Sequence, residues 1–548
     1  MSIDFQNAEK SPEDVYTKDA VIETSVDDVV VGTKHTVRGL KPRHAQMMAI
    51  AGAIGTGLFV GTGSALKRAG PLGLLLGYVL YSGLIWTSYN AMCEMVTWLP
   101  VDGSFLHLAG RFVGPSFGFG MAWLYTYNNA VIVAAEATAV AGFVNYWNDS
   151  ISNGVWCALF IVSCFLLNVF GVRIYGEGEF WLSSFKVFLV VCLMVFTVVT
   201  MCGGNPLHDA FGFRYWKNPG VFGDYLVKGP AGHFAGLFSI FVQAAFAFGG
   251  PDMIAIAAGE IQYPRRVIPS VTKRVIYRLI FFFVGGALCV GILVPHNDPI
   301  LGTSQKGGGS SPFVIAATRL QIPVLPDIIN ATLLTSAWSV GLDCCYCATR
   351  SLYSLSLSGH APKIFQRTWR GVPTASVIVI CLVGCLSFMS LSNDSVVVFN
   401  WITNITGSGI LLVIALLHFM YIRWHAALKA QGVDRSQLPF HKRGQIYLSW
   451  FACIAYVILL LTNGFYIFVP GHWDTPDFLF AYLAIPAFVV PFLGHKIYRA
   501  CKGHTRLGLI PAHEIDLFSG KAEIDEEEKT YPELAEGKGA KFERWLWG

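Results

Sequence analysis

Apolar residues run along this chain in long unbroken blocks, without the three-to-four or two-residue spacing of a half-buried soluble element. A helix needs about 20 apolar residues to cross the hydrocarbon core of a bilayer. Twelve stretches reach or approach that length: 45–66, 72–98, 116–146, 155–171, 181–202, 233–258, 274–294, 327–357, 374–391, 396–421, 446–469 and 476–497. Most faces of each are apolar, so length and lack of charge define them rather than periodicity. The pattern predicts an all-α membrane protein with twelve transmembrane helices.

Polar sequence is left to the ends and the connections. Residues 1–40 and 500–548 read as tails flanking a membrane domain over 41–499. The second tail carries the acidic run Asp525-Glu526-Glu527-Glu528 and is expected to be solvated and flexible. Met1 to Thr36 has no early apolar core, so no signal peptide is expected and the first span serves as its own insertion signal. With both termini placed in the cytoplasm, inside loops hold fifteen Lys and Arg, among them Arg265, Arg266, Lys273, Arg423 and Lys442, against seven outside. That asymmetry matches the positive-inside rule.

Composition narrows the function classes. Only 14% of the 548 residues are charged and 54% are hydrophobic, where a soluble domain carries about 25% charged residues. A single soluble domain, a disordered chain and a nucleic-acid binder are excluded, and the net charge of +4 calls for no polyanion. Of thirteen cysteines, eight lie inside apolar runs and act as small hydrophobes. Cys344-Cys345-Tyr346-Cys347 reads as small residues in a helix, and no metal site is expected.

Two spans hold too much glycine for an ordinary helix: Ala53-Ile54-Gly55-Thr56-Gly57 in the first, and Phe246-Ala247-Phe248-Gly249-Gly250-Pro251-Asp252 in the sixth. Glycine costs about 1 kcal/mol relative to alanine in a helix interior, and proline about 3. Such breaks at matching places in two halves point to a transporter's midplane site. The N–H groups starting a half-helix suit a carboxylate, and the C=O groups ending one suit an ammonium or cation. The other reading of the same glycines is close helix packing of the small-xxx-small kind. Among ionisable groups inside the spans, Glu136, Lys186 and Asp252 are candidates for carrying a proton, with Asp343 behind them. Glu260 sits beside Arg265 and Arg266 and reads as an interface ion pair, while Phe246 and Phe248 are placed to close over a ligand.

The segment Leu40 to Pro71, with Ile54-Gly55-Thr56-Gly57-Leu58-Phe59-Val60-Gly61 and Ala69-Gly70-Pro71, resembles the opening of the fungal amino acid permeases of the amino acid–polyamine–organocation superfamily. Pro100-Val101-Asp102-Gly103-Ser104-Phe105, Ala135-Glu136, Pro264-Arg265-Arg266, Ser336-Ala337-Trp338-Ser339 and Ala361-Pro362-Lys363 follow in the same order, over roughly 40–500. The resemblance implies a leucine-transporter-like fold: inverted repeats of five helices (about 45–202 and 233–421) plus two further helices over 446–497. It implies proton symport of L-amino acids at the plasma membrane, with the proton as coupling ion and no other cofactor. It places the substrate carboxylate around Ala53, Ile54, Gly55, Thr56 and Gly57, and the amino group around Phe246, Ala247, Phe248 and Gly249. It puts the third-span glutamate on Glu136, and Lys186 on a lysine that replaces a sodium ion in bacterial relatives. It also implies a ubiquitin ligase or adaptor acting on tail lysines such as Lys10, Lys18, Lys521 and Lys529. The chain departs from the family with Ala53 for Ser, Pro251-Asp252 for Thr-Glu, and Leu342 after Gly341 where Asn is usual. A broad neutral range and a narrow one (proline, or a charged amino acid) both remain open. A nutrient receptor of the same fold is the rival reading, and tails of roughly 40–50 residues favour transport.

Overall fold

The computed structural model describes residues 40–531 except 102, 149, 171, 250–251, 302–310, 370, 392–394 and 505–506. The described chain is helical. In order it forms α1 (Pro42–Ala53), a π-turn (Gly57–Gly61), α2 (Thr62–Trp98), α3 (Ser104–Phe112), α4 (Pro115–Val144), α5 (Asn153–Val169), α6 (Val172–Met201) and α7 (Arg214–Lys217). There follow α8 (Pro230–Ala247), α9 (Asp252–Ile256), α10 (Pro264–Leu293), α11 (Pro312–Arg319), α12 (Leu325–Leu357), α13 (Thr374–Gly384) and α14 (Ser395–Ala430). The last four are α15 (Gln445–Leu461), α16 (Thr475–Tyr482), α17 (Ala484–Cys501) and α18 (Lys521–Lys529).

Among the described residues eight helices are long and apolar enough to cross a membrane, and the bent pair α16 and α17 makes a ninth. One of the eight, Gly57–Trp98, is 42 residues long. At about 1.5 Å per residue it is roughly twice the thickness of a hydrocarbon core. It reverses at Gly70, where φ is +74°, immediately before Pro71. Glycine is required there twice over: the φ is left-handed, and a Cβ would stand 2.6–2.8 Å from the Phe222–Gly223 backbone of the α7–α8 loop. The second part of the first predicted span and the whole of the second thus appear as one helical run with a corner. α5 and α15 are apolar but only 17 residues each.

α4 is the axis of the molecule and packs on α12, α14, α17, α3 and α5. Around it α2 lies against α8 and α10, and α1 lies against α6, α10 and α12. The outer faces of α5, α6, α13 and α15 expose Leu159, Val162, Phe188, Val195, Leu382 and Phe451. So much contiguous apolar surface is stable only in lipid, which makes the chain a multi-pass membrane protein.

Two local expectations change. α3 was not foreseen, and it lies between the second and third spans with seven of its residues buried. The acidic tail is not loose within the described residues. Leu517, Ile515 and Ile524 are buried, and Arg265 pairs with Asp525 (2.5 Å) and Glu528 (3.0 Å). Trp98 Nε1 donates to the Leu517 carbonyl, and Arg111 donates to Asp516 and to the Ser519 carbonyl. Ile510 N donates to the Val113 carbonyl. The run is amphipathic, with Ile524 inward, so its charges fasten a helix to basic loops instead of repelling into solvent. Lys521 is tied into this surface at 2.7 Å from Asp525, Lys529 is exposed, and Lys10 and Lys18 lie outside the described residues.

Candidate functional site

Both predicted breaks occur. α1 ends at Ala53, where Ile54 N closes the last turn on the Ile50 carbonyl. Helix resumes through the π-turn starting at Gly57. α8 ends at Ala247 and helix resumes at Asp252; Gly250 and Pro251 lie outside the described residues. The breaks touch. A Cβ on Gly57 would stand 2.8 Å from Ala247 Cα and 3.3 Å from Phe246 Cδ1. Glycine here serves close packing and, by the same contact, joins the two breaks, so the two sequence readings coexist at one residue.

A cavity opens beside this contact. Its space for water centres is about 70 Å³, several times the ~10–15 Å³ that one water needs. Ala53, Gly55, Thr56, Gly57, Glu136, Phe246, Ala247, Phe248, Gly249 and Asp252 all line it. Ile54 does not; its carbonyl accepts from Ser336 Oγ at 3.0 Å, which fixes the end of α1 to α12. Lys186 does not line it either. It is buried behind the wall with Asp343, Glu136 and Glu179 as its charged neighbours.

Thr56 Oγ1 donates to Glu136 Oε1 at 3.0 Å, so the helix 1 break is bonded directly to the third-span acid. Tyr125 OH donates to Asp252 Oδ2 at 2.5 Å, and Tyr89 OH donates to the Phe248 carbonyl at 3.2 Å. The Phe248 ring stacks 4.2 Å from Phe283 and sits 5.5 Å from Tyr81, which holds it in an aromatic cluster. Phe246, resting 6.2 Å from Phe399, is the less encumbered ring. Trp338 packs on Phe160 away from the lining.

Sequence reasoning missed most of the wall. α4 contributes Tyr125, Asn128, Asn129 and Ile132 beside Glu136, and α14 contributes Ile410, Val413, Ile414 and Leu417. Both sets follow i, i+3, i+4, i+7 spacing, one face of each helix. On α4 the stripe is polar within an apolar helix, and that signal was available. On α14 it is apolar among apolar residues and gave none. Among the described residues the lining contains two carboxyls and no Lys, Arg or His.

Glu260 does not pair with its sequence neighbours Arg265 and Arg266. Arg350 Nε donates to its Oε1 at 2.8 Å and Tyr346 OH to its Oε2 at 2.5 Å, while Arg265 reaches the tail. Its backbone accepts from Leu40 N at 3.0 Å, and Gln262 N returns a bond to the Leu40 carbonyl. These bonds tie the chain before α1 to the chain after α9, so the ends of both half-helices remote from the breaks are joined. Sequence proximity misled because a helix end turns Arg265 towards α18 and Glu260 towards α12.

Residues 44–505 match the amino acid permease family model. The chain is 42% identical over 497 residues to the proline-specific permease of Emericella nidulans, covering 89% of each chain. It is 40% identical over 510 residues to the proline-specific permease of Saccharomyces cerevisiae (91% of this chain, 80% of that one). It is 38% identical over 505 residues to general amino acid permease AGP2 of the same yeast (90% and 84%). Among solved structures it resembles the Eremococcus coleocola manganese transporter, with a TM-score of 0.54 and 14% identity over 87% of this chain and 99% of that one. That likeness shows the helical transporter fold alone. Its matched relatives being permeases rather than enzymes, the chain belongs to the amino acid permease family.

Proposed function

We propose that this protein imports a compact neutral L-amino acid, proline first among them, together with a proton across the plasma membrane. Both termini are cytoplasmic in this reading. The helices make twelve crossings: the broken pair α1 and Gly57–Ala69, Pro71–Trp98, and then α4, α5, α6, α8 with α9, α10, α12, α13, α14, α15 and α16 with α17. The first ten are read as two inverted repeats of five. The observation that carries the reading is the meeting of the two breaks at Gly57 and Ala247, beside a cavity into which Thr56 and Glu136 are hydrogen-bonded.

The substrate carboxylate lies against the backbone N–H groups around Gly55 to Gly57, and its primary ammonium, or the secondary ammonium of proline, against the carbonyls ending α8. Two acidic side chains and no basic one disfavour an anionic side chain. The small volume and the apolar α14 face favour a compact apolar one, which agrees with the proline-specific names of the two relatives above. Each proton moving inward down the membrane field gains about 2.3 kcal/mol per 100 mV.

The test is uptake of tritiated L-proline into proteoliposomes holding the full chain, with and without an acid-outside gradient. Accumulation above the outside concentration, abolished by a protonophore, supports the reading. Binding without accumulation would make the chain a receptor. Competition by each of the twenty amino acids defines the range, and a panel led by a large or basic amino acid overturns the compact-substrate assignment.

A further inference from the structure

Behind the cavity wall α6 carries an acid that no motif singled out. Glu179 is 1% exposed. It stands seven residues, two turns, before Lys186, so both project from one face of α6. Ser339 Oγ of α12 donates to its Oε1, and Ser183 Oγ lies 3.4 Å from the same atom. Its second oxygen, Oε2, is buried without a hydrogen-bond partner, as is Oε2 of Glu136. Lys186 interacts with Glu179 first, then with Asp343 of α12 and Glu136 of α4. Three carboxyls from three helices therefore lie within the electrostatic reach of one buried lysine. Glu179, Lys186 and Asp343 all lie off the cavity lining, and Glu136 alone belongs to both groups.

Fully ionised, the cluster would carry two uncompensated negative charges. An unpaired charge buried in protein costs several kcal/mol, so a proton is the natural counter-charge. The groups facing Glu179 are few. From its own helix comes Lys186 and from α12 come Ser339 and Asp343 through the lysine. α1 offers Arg43 and His44, but both are paired with Glu177, two residues nearer the start of α6. α5 offers only cysteines, and the Lys273, Arg274 and Arg278 of α10 do not act on Glu179.

The geometry points to Glu179 as the positioning acid that holds the coupling proton outside the substrate cavity. This rests on the proton-symport reading above and deepens it. The Glu179 carboxylate takes one proton from the outer side and becomes a carboxylic acid. It releases the same proton to the cytosol, on the side where Arg43 and His44 pair with Glu177. The change of charge at Glu179 acts on Lys186, which also acts on Glu136, and Glu136 is bonded to Thr56 in the α1 break. Substrate binding and proton loading thus occupy adjoining compartments joined through one lysine.

The test compares wild type, Glu179→Gln and Glu179→Asp as full chains in proteoliposomes with tritiated L-proline. Glu179→Gln is expected to keep proline counterflow and a KM within about two-fold. It is expected to lose at least ten-fold in uptake driven by an acid-outside gradient, and to show a flat pH profile. Glu179→Asp is expected to restore driven uptake with a shifted profile. Wild-type accumulation and pH profile in Glu179→Gln overturn the proposal, and so does equal loss of counterflow and driven uptake, which marks a merely structural role. Where Glu179→Gln does not purify as a monodisperse protein, Glu179→Asp decides: an unshifted profile overturns the assignment. A wild-type protein without proton-driven accumulation overturns the symport reading instead.

Discussion

Gly57→Ala places one methyl group between the two helix breaks. Its Cβ would stand 2.8 Å from Ala247 Cα, 3.0 Å from Ala247 Cβ and 3.3 Å from Phe246 Cδ1. Carbon atoms rest at about 3.5–4.0 Å, so two backbones must part by roughly 0.7 Å or more. Overpacking of this kind costs about 1–3 kcal/mol. Expressed wholly in the arrangement where the breaks meet, that is roughly a 5- to 150-fold rise in the KM for proline. Gly55→Ala is the matched control. Its Cβ would also find an atom at 2.8 Å, but that atom is Val340 Cγ2, with the next contacts at 3.7 Å. A valine methyl yields by turning off its rotamer for about 0.5–1.5 kcal/mol, a two- to twelve-fold effect. Alanine's helix preference over glycine, about 1 kcal/mol, acts at Gly57 in the π-turn and not at Gly55 in the break, so it narrows the gap between the two variants. The assay is proline uptake over a concentration series, normalised to purified protein per liposome. The reasoning fails if Gly55→Ala is the more damaging of the two, or if Gly57→Ala keeps the wild-type KM.

Four further outcomes are expected. Tyr125→Phe and Asp252→Asn each remove a charge-assisted bond worth about 1.5–3 kcal/mol, so each lowers uptake while the double variant falls well short of their product; strictly additive losses refute the pairing. Glu260→Gln breaks a buried pair with Arg350, a class of change that costs about 3–5 kcal/mol, so the melting temperature in detergent falls by several degrees; an unchanged melting curve refutes it. Arg265→Ala releases the tail helix, read as faster hydrogen exchange over 515–529, and equal exchange in wild type and variant refutes the docking. Burial of Asp516 works against its charge, yet Arg111 and the Ser519 and Phe518 N–H groups outweigh it and hold the carboxyl below the usual range; Lys521 and Arg265 do the same for Asp525. A depressed carboxyl contributes stability above its undocked value, about 3.9, and loses it only as pH falls through the lower docked value. Docking is therefore unchanged between about pH 8 and 5 and loosens below about 4; release between pH 5 and 7 refutes the charge assignment.

What could be read in the chain and what could not divide along a physical line. Gly55, Gly57 and Gly249 were legible because a helix interior penalises glycine wherever it stands, so the signal is local. Glu136 was legible because an acid inside an apolar block needs a partner whatever the fold. The partner itself was not: Thr56 is 80 residues away. Glu179 escaped because it lies at the edge of its apolar run, where an acid reads as an interface charge. The tail misled for a related reason. Four acids in a row look solvated, and only Arg265, which meets Asp525 and Glu528 one turn apart, together with the buried Ile524, shows that one side of the helix is docked. Helices apolar on all sides carry no phase, so the α14 face could not be picked out of its own sequence.

That α14 face is where selectivity should reside. The backbone at the breaks can address only what all amino acids share, the carboxylate and the amino group. Side-chain discrimination must come from groups that vary, and Ile410, Val413, Ile414 and Leu417 present one continuous apolar strip to the cavity. One methylene in such a pocket is worth about 1–3 kcal/mol, or 10- to 200-fold in kcat/KM between competing substrates. Ile410→Ala and Ile414→Ala should therefore raise the ratio of leucine to proline uptake at least ten-fold. Both should leave proton-driven accumulation intact, since neither touches Glu136 or the cluster behind it. A competition panel in which both variants match wild type would place selectivity elsewhere. The Asn128 and Asn129 amides on the opposing α4 face would then be the next groups to vary, because they are the remaining polar side chains of the lining carried on the same turn as Tyr125.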